Sequence, residues 1–170
     1  MAQISAEVPG DERGTLLSFV ESQRAALREA AQGLTAEQAA SRPSVSELSL
    51  SGLLKHAAQC ELNWLRMAGG APGGDEDSEQ SWSDAFRLVE GESVESVLAF
   101  WDGVRGQTEA FIAAVPSLDD SFPLPPAPWF PQDAKVSMRW MLLHLVEEFA
   151  RHAGHADIIR ESIDGTRAMG

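Results

Sequence analysis

Apolar residues spaced three and four positions apart recur in four stretches of the chain, and this period places side chains on one face of an α-helix. Alternating apolar and polar runs are nearly absent, and the chain contains no Tyr, so strands are not expected. The pattern predicts an all-α protein. Four long helices and one short helical turn are predicted, over Asp11–Gln32, Thr35–Gln38 (the short turn), Leu48–Ala68, Ser93–Val115 and Ser137–Ile163.

Four long helices of about twenty residues predict a four-helix bundle. The connection from Gly69 to Glu92 is long enough to cross the bundle between the second and third long helices. Five prolines between Ser121 and Asp133 forbid a regular helix and indicate an ordered flap or an extended linker. Only one helix follows this segment, and a lone helix could not bury its apolar stripe. We therefore expect a single domain over residues 1–170, with flexible ends at about 1–8 and 166–170.

The balance of charge excludes one class of partner. Thirteen Lys and Arg against 26 Asp and Glu give a net charge of −13, which repels phosphate backbones, so no nucleic-acid partner is expected. No apolar run approaches the roughly eighteen residues that span a membrane, and the first residues lack the basic start of a secretory signal. The single cysteine, Cys60, cannot form an internal disulfide. We expect a cytoplasmic protein with no membrane partner.

The fourth long helix holds a cluster of polar residues on one face. At about 100° per residue, Glu148, Arg151, His152 and His155 all fall within a narrow arc around His144. Apolar residues flank this arc on the same face, so the cluster is predicted to point into the bundle. Buried carboxylates and imidazoles are costly unless they are paired or bind a metal. The alternative is structural, with satisfied histidines at the core or its rim and Glu148 in a salt bridge to Arg151 or His152.

His56 is centred on the apolar face of the second long helix and is predicted to face the same core. Glu148 and His152 have the i, i+4 spacing that lets two side chains reach a common ion. With His56 they provide three nitrogen and oxygen ligands from two helices, which leaves coordination positions open, as in catalytic metal sites. Cys60, one turn after His56, is either a fourth ligand or a small buried hydrophobe.

The last helix, Val136–Glu161 with Ile163–Gly165, resembles that of the actinobacterial mini-circle branch of the DinB-like superfamily. The resemblance extends to Gly10–Leu17, Ala31–Gln38 and Leu50–Trp64, and so covers nearly the whole chain. This superfamily includes metal-dependent S-transferases and mycothiol-dependent maleylpyruvate isomerases. The resemblance implies a DinB-like four-helix bundle with one divalent metal, zinc or nickel, on three side chains. In members with a Glu-x-x-x-His pair, that motif falls on Glu148 and His152, with His56 as the first ligand.

Three functions remain open. The first is a metal-dependent S-transferase, or an isomerase, that uses a small thiol such as mycothiol or bacillithiol on a small electrophile, with the metal-activated thiolate as nucleophile. His155 or His144 would shuttle the proton and Arg151 would hold a carboxylate. The second is a metal-binding or small-ligand-binding module without turnover, and the third is a helical interaction protein with structural histidines. The expected partners are the thiol and the electrophile, with a homodimer as a possible assembly.

Overall fold

The computed structural model describes residues 10–71, 84–126 and 130–168. Each long helix agrees with its prediction to within two residues at both ends. The predicted flexible end at 1–8 lies outside the described residues, as do residues 169–170. The described elements, in chain order, are helices α1 (Glu12–Ala31), α2 (Ala36–Ala40), α3 (Leu50–Ala68) and α4 (Val94–Ala114), strands β1 (Ser121–Pro123) and β2 (Lys135–Ser137), and helix α5 (Met138–Asp164).

Local sequence explains where the long helices begin and end. The hydroxyls of Ser49, Ser93 and Ser137 cap α3, α4 and α5 by accepting hydrogen bonds from backbone N–H groups in the first turn. Helix α5 ends at Gly165, whose φ of 78° is in the left-handed region that favours glycine. These signals are local, which is why the helix boundaries follow closely from the sequence.

Contacts along each pair of helices give their relative directions. Helix α1 runs antiparallel to α4, because Arg13 near the start of α1 donates to the Ile112 carbonyl while Arg28 near its end pairs with Asp102. The N-terminal end of α1 therefore lies beside the C-terminal end of α4.

Helices α3 and α4 run parallel to each other. Lys55 near the start of α3 contacts Glu92, just before α4, and Glu61 contacts Trp101 further along both helices. Two parallel neighbours require a connection that returns along the length of the bundle, which confirms the predicted crossover. Residues 72–83 of this connection lie outside the described part of the chain.

A short two-stranded sheet was not predicted from the sequence. Strands β1 and β2 pair antiparallel, with Phe122 opposite Val136. Strands of three residues are too short to show an alternating pattern, which explains the difference. Strands β1 and β2 lie at the two ends of the proline-rich segment, and their pairing holds these ends together. This arrangement agrees with the interpretation of the segment as a flap. Phe122 is buried, and its ring centroid lies 6.4 Å from that of Trp64 on α3.

A buried polar network ties three helices together inside the core. Glu61 is fully buried and accepts hydrogen bonds from Arg24 Nη2 at 2.8 Å and from the Trp101 indole at 2.8 Å. Because each donor has an acceptor, the burial cost of these groups is offset.

None of the helices in the described ranges combines the length and hydrophobicity that a membrane crossing requires.

Candidate metal centre

Three side chains from two helices meet between α3 and α5. His56 comes from α3, and Glu148 and His152 come from α5. One potential ligand atom from each residue lies within 4.8 Å of the other two. The Oε1 atom of Glu148 accepts hydrogen bonds from Nε2 of His56 at 3.0 Å and from Nε2 of His152 at 3.1 Å. We refer to these three residues as the His-Glu-His cluster.

Helix geometry and helix packing each account for part of this cluster. Glu148 and His152 are one turn apart on α5, so their contact follows from the local spacing. His56 reaches them because α3 runs antiparallel to α5, with His56 beside Glu148 and Trp64 beside Trp140. The cluster is partly accessible, since the side chains of His56 and Glu148 are 16% and 15% exposed.

The charge of the cluster is set by Glu148. Hydrogen bonds from His152 and then from His56 hold the pKa of the Glu148 carboxyl well below its usual range. Its second oxygen accepts a hydrogen bond from Arg151 at 3.1 Å. At neutral pH the cluster therefore presents one ionised carboxylate and two imidazoles. This donor set, two nitrogens and one oxygen, suits zinc and also nickel.

His155 contacts the cluster through His152. The two Nδ1 atoms lie 3.3 Å apart. A histidine that binds a metal through Nε2 keeps its proton on Nδ1 and donates it to a nearby acceptor. His155 is therefore positioned to accept that proton and to fix the ring orientation of His152.

His144 lies one turn before Glu148 and is enclosed by aromatic rings. It stacks on Trp140 with the ring centroids 4.9 Å apart, and its ring makes a T-shaped contact with Trp64 at a centroid distance of 4.7 Å. Burial lowers the pKa of the His144 imidazole below its ordinary value, which disfavours the protonated ring. This environment thus favours the neutral form of an imidazole that lies one turn from Glu148.

Arg151 is half-exposed and pairs with two carboxylates of its own helix. Its guanidinium donates to Glu148 at 3.1 Å and to Glu147 at 2.9 Å. Of these two partners, Glu147 is the solvent-exposed one.

Cys60 does not belong to the His-Glu-His cluster found among the described residues. It is partly buried and packs against the hydrophobic core. Its position agrees with the interpretation as a small hydrophobe rather than with that of a fourth ligand.

Sequence reasoning missed one residue of the site. Phe86 lies between α3 and α4, and its ring stacks on His56 with the centroids 4.1 Å apart and the planes inclined by 17°. No periodic signal in the sequence marks Phe86, because the contact depends on how the crossover returns across α3.

The fold and the cluster together define a class: an all-α, DinB-like helical bundle with two imidazoles and a carboxylate gathered between two helices. The chain belongs to the mycothiol S-transferase family, whose model matches residues 15–165. This confirms the resemblance drawn from the sequence.

A solved structure supports the fold. It is described as a conserved protein of locus from Enterococcus faecalis and superposes with a TM-score of 0.71 at 14% sequence identity. The match covers 91% of this chain and 98% of that chain. At this identity the similarity concerns the fold alone. Among the curated proteins, none is similar enough to match.

Proposed function

We propose that the protein is a metal-dependent S-transferase that joins mycothiol to a small electrophile. The observation that supports this proposal most directly is the His-Glu-His cluster, with its three ligand atoms within 4.8 Å of one another in a family named for thiol transfer. His56, Glu148 and His152 would hold one zinc or nickel ion.

The donor chemistry fits such an ion. Two neutral imidazoles and one carboxylate contribute a single negative charge, so a bound divalent ion would leave the site with a net positive charge that favours a thiolate over a thiol. Three protein ligands also leave room for an incoming sulfur, as open metal sites require.

The remaining roles are assigned to residues beside the cluster. His144, whose neutral form is favoured by burial, would accept the proton that leaves the thiol. His155 would hold His152 in the ligating tautomer through the 3.3 Å contact between their Nδ1 atoms. Arg151 would bind a carboxylate of the thiol or the electrophile in place of Glu147. The thiolate would attack an electrophilic carbon to form the new carbon–sulfur bond. The electron pair of the π bond or leaving-group bond that breaks would move onto the electrophile, which would take up the proton held by His144.

Elemental analysis of protein purified without a histidine tag tests the first requirement. We expect about one zinc or nickel ion per chain, and loss of that ion in His56→Ala. The control is His144→Ala, which removes an imidazole near the cluster but outside it. Failure of the unmodified protein to carry or take up a stoichiometric metal would refute the proposal.

Thiol consumption tests turnover. Metal-loaded protein is incubated with mycothiol and a panel of electrophiles, and free thiol is followed over time, with bacillithiol as the comparison thiol. We expect loss of mycothiol that depends on the metal and on His56. Metal binding without any such loss across a broad panel would favour the second function, a binding module without turnover.

A further inference from the structure

We propose that Phe86, held by Gly52, Lys55 and Glu92, is a positioning residue that sets the ring plane of His56 for the metal site. These four residues are called the Phe86 clamp below. The inference rests on the proposed function, because it assigns the clamp a role in the site where the metal would bind. It concerns how His56 is oriented before any ion arrives.

The need for such a clamp follows from the contacts of His56. Histidines that bind metals are normally oriented by a hydrogen bond on the second ring nitrogen, and His152 has this contact with His155. In the described parts of the chain, His56 has a hydrogen bond on Nε2 alone, to Glu148. The face of its ring is covered by Phe86. Among the described residues, stacking on Phe86 is therefore a contact that defines the plane of the His56 ring.

Gly52 allows Phe86 to come this close. It lies four residues before His56 on α3, so both residues are on the same side of the helix. A Cβ atom built on Gly52 would lie 1.9 Å from the Phe86 carbonyl oxygen and 2.6 Å from its carbonyl carbon. Backbone atoms cannot move aside as a flexible side chain can. Any larger residue at position 52 must push the segment that bears Phe86 away from α3.

Lys55 also anchors the segment that bears Phe86. Its side chain is buried, and its ammonium donates to the Arg87 carbonyl at 3.1 Å and to Glu92 at 2.7 Å. The Glu92 carboxylate also accepts the backbone N–H of Val89 at 2.9 Å. A buried ammonium is stable only with such partners, so the position of this segment is strongly specified. Arg87 follows Phe86 directly, and Lys55 precedes His56 directly.

The stacking itself is tested first, without metal. The proton signals of the His56 ring are assigned by their loss in His56→Gln. The Phe86 ring should shift them upfield in the wild-type protein and in Phe86→Tyr. We expect the upfield shift to disappear in Phe86→Leu, which keeps an apolar side chain without a flat face. It should also weaken in Gly52→Ala, in which Phe86 is present but displaced.

Cobalt binding tests the consequence for the metal site. We expect Phe86→Leu and Gly52→Ala to weaken Co²⁺ affinity about tenfold and to change the visible spectrum of bound Co²⁺, as when a partner of a ligating histidine is removed. Phe86→Tyr should keep both properties. The controls are Phe111→Leu in the last turn of α4 and Gly103→Ala, where a Cβ meets nothing within 4 Å. Circular dichroism verifies folding, and Lys55→Met provides a second route if Gly52→Ala does not fold.

The inference is overturned if Phe86→Leu and a folded Gly52→Ala or Lys55→Met keep wild-type Co²⁺ affinity and spectrum. It is also overturned if the His56 signals show no upfield shift in the wild-type protein. Failure of the proposed function looks different. If the metal site is absent, the wild-type protein binds no Co²⁺ while the upfield shift stays present. If only turnover is absent, Co²⁺ binding and its dependence on Phe86 remain.

Discussion

Glu148 Oε1 accepts a hydrogen bond from His56 Nε2 at 3.0 Å, across the interface between α3 and α5. This single contact joins a residue near the start of one helix to a residue in the middle of another, 92 positions later in the chain. It places the only carboxylate of the His-Glu-His cluster where both imidazoles can reach it.

Glu148→Gln should severely weaken metal binding with the fold retained. Glutamine keeps the size of the side chain and removes its charge, so the affinity for Zn²⁺ or Co²⁺ should fall by about 100-fold or more. This loss exceeds the one expected when a residue that only hydrogen-bonds to a metal ligand is removed. Competition titration with a chelating dye measures the change. The matched control is the neighbouring Glu147→Gln, which alters a carboxylate that is 63% exposed. Equal affinities for the two variants would contradict the assignment of Glu148.

His155→Ala should weaken metal binding less than a change at a ligand. Removing the acceptor for the His152 Nδ1 proton leaves the ligand present but loosely oriented, and we expect a loss of about tenfold in affinity. Isothermal titration calorimetry with Zn²⁺ measures it. His155→Gln retains an acceptor and should recover part of the loss. A His155→Ala protein with unchanged affinity would show that this residue does not orient His152.

Glu61→Leu should strongly destabilise the fold. It leaves the Arg24 guanidinium buried without its main partner, and breaking a buried ion pair in this way costs about 3–5 kcal/mol. Urea denaturation measures the free energy of unfolding. The double variant Arg24→Met with Glu61→Leu should recover most of the stability, since no buried charge remains.

A surface pair supplies the control for Glu61. Glu47 is exposed and pairs with Arg42, so Glu47→Gln should cost about 0–1 kcal/mol. A Glu61→Leu protein as stable as Glu47→Gln would mean that the buried network does not stabilise the core.

Asp164 should titrate at unusually low pH. Its hydrogen bond from Arg160, together with that from the Thr166 backbone, lowers the pKa of its carboxyl to about 2. Because the folded pKa is the lower one, the stabilisation is complete above the unfolded value near 3.9 and is lost as the pH falls towards 2. Carboxyl NMR titration measures the midpoint. Asp157 is the comparison, since burial raises the pKa of its carboxyl. A midpoint for Asp164 at or above its ordinary value would contradict this account.

The buried ion pair of Arg24 and Glu61 is a feature that the sequence pattern could have predicted in part. Arg24 lies between Val20 and Leu27 on the apolar stripe of α1, and Glu61 lies one turn after buried Ala57 on α3. Charges at such positions predict a buried ion pair, although not which residues pair. The three-residue strands gave no comparable signal, because their pairing depends on two segments meeting after the chain has folded.

The sequence by itself determined the helices, their caps and the face that Glu148 shares with His152, because these follow from hydrogen bonds and spacings within a few residues. Tertiary structure decided what no local rule specifies. The antiparallel register of α3 against α5 brings His56 to within 3.0 Å of Glu148, and the return of the crossover across Gly52 places Phe86 on the His56 ring. Such contacts depend on how whole helices pack, since distant segments meet only when the core closes.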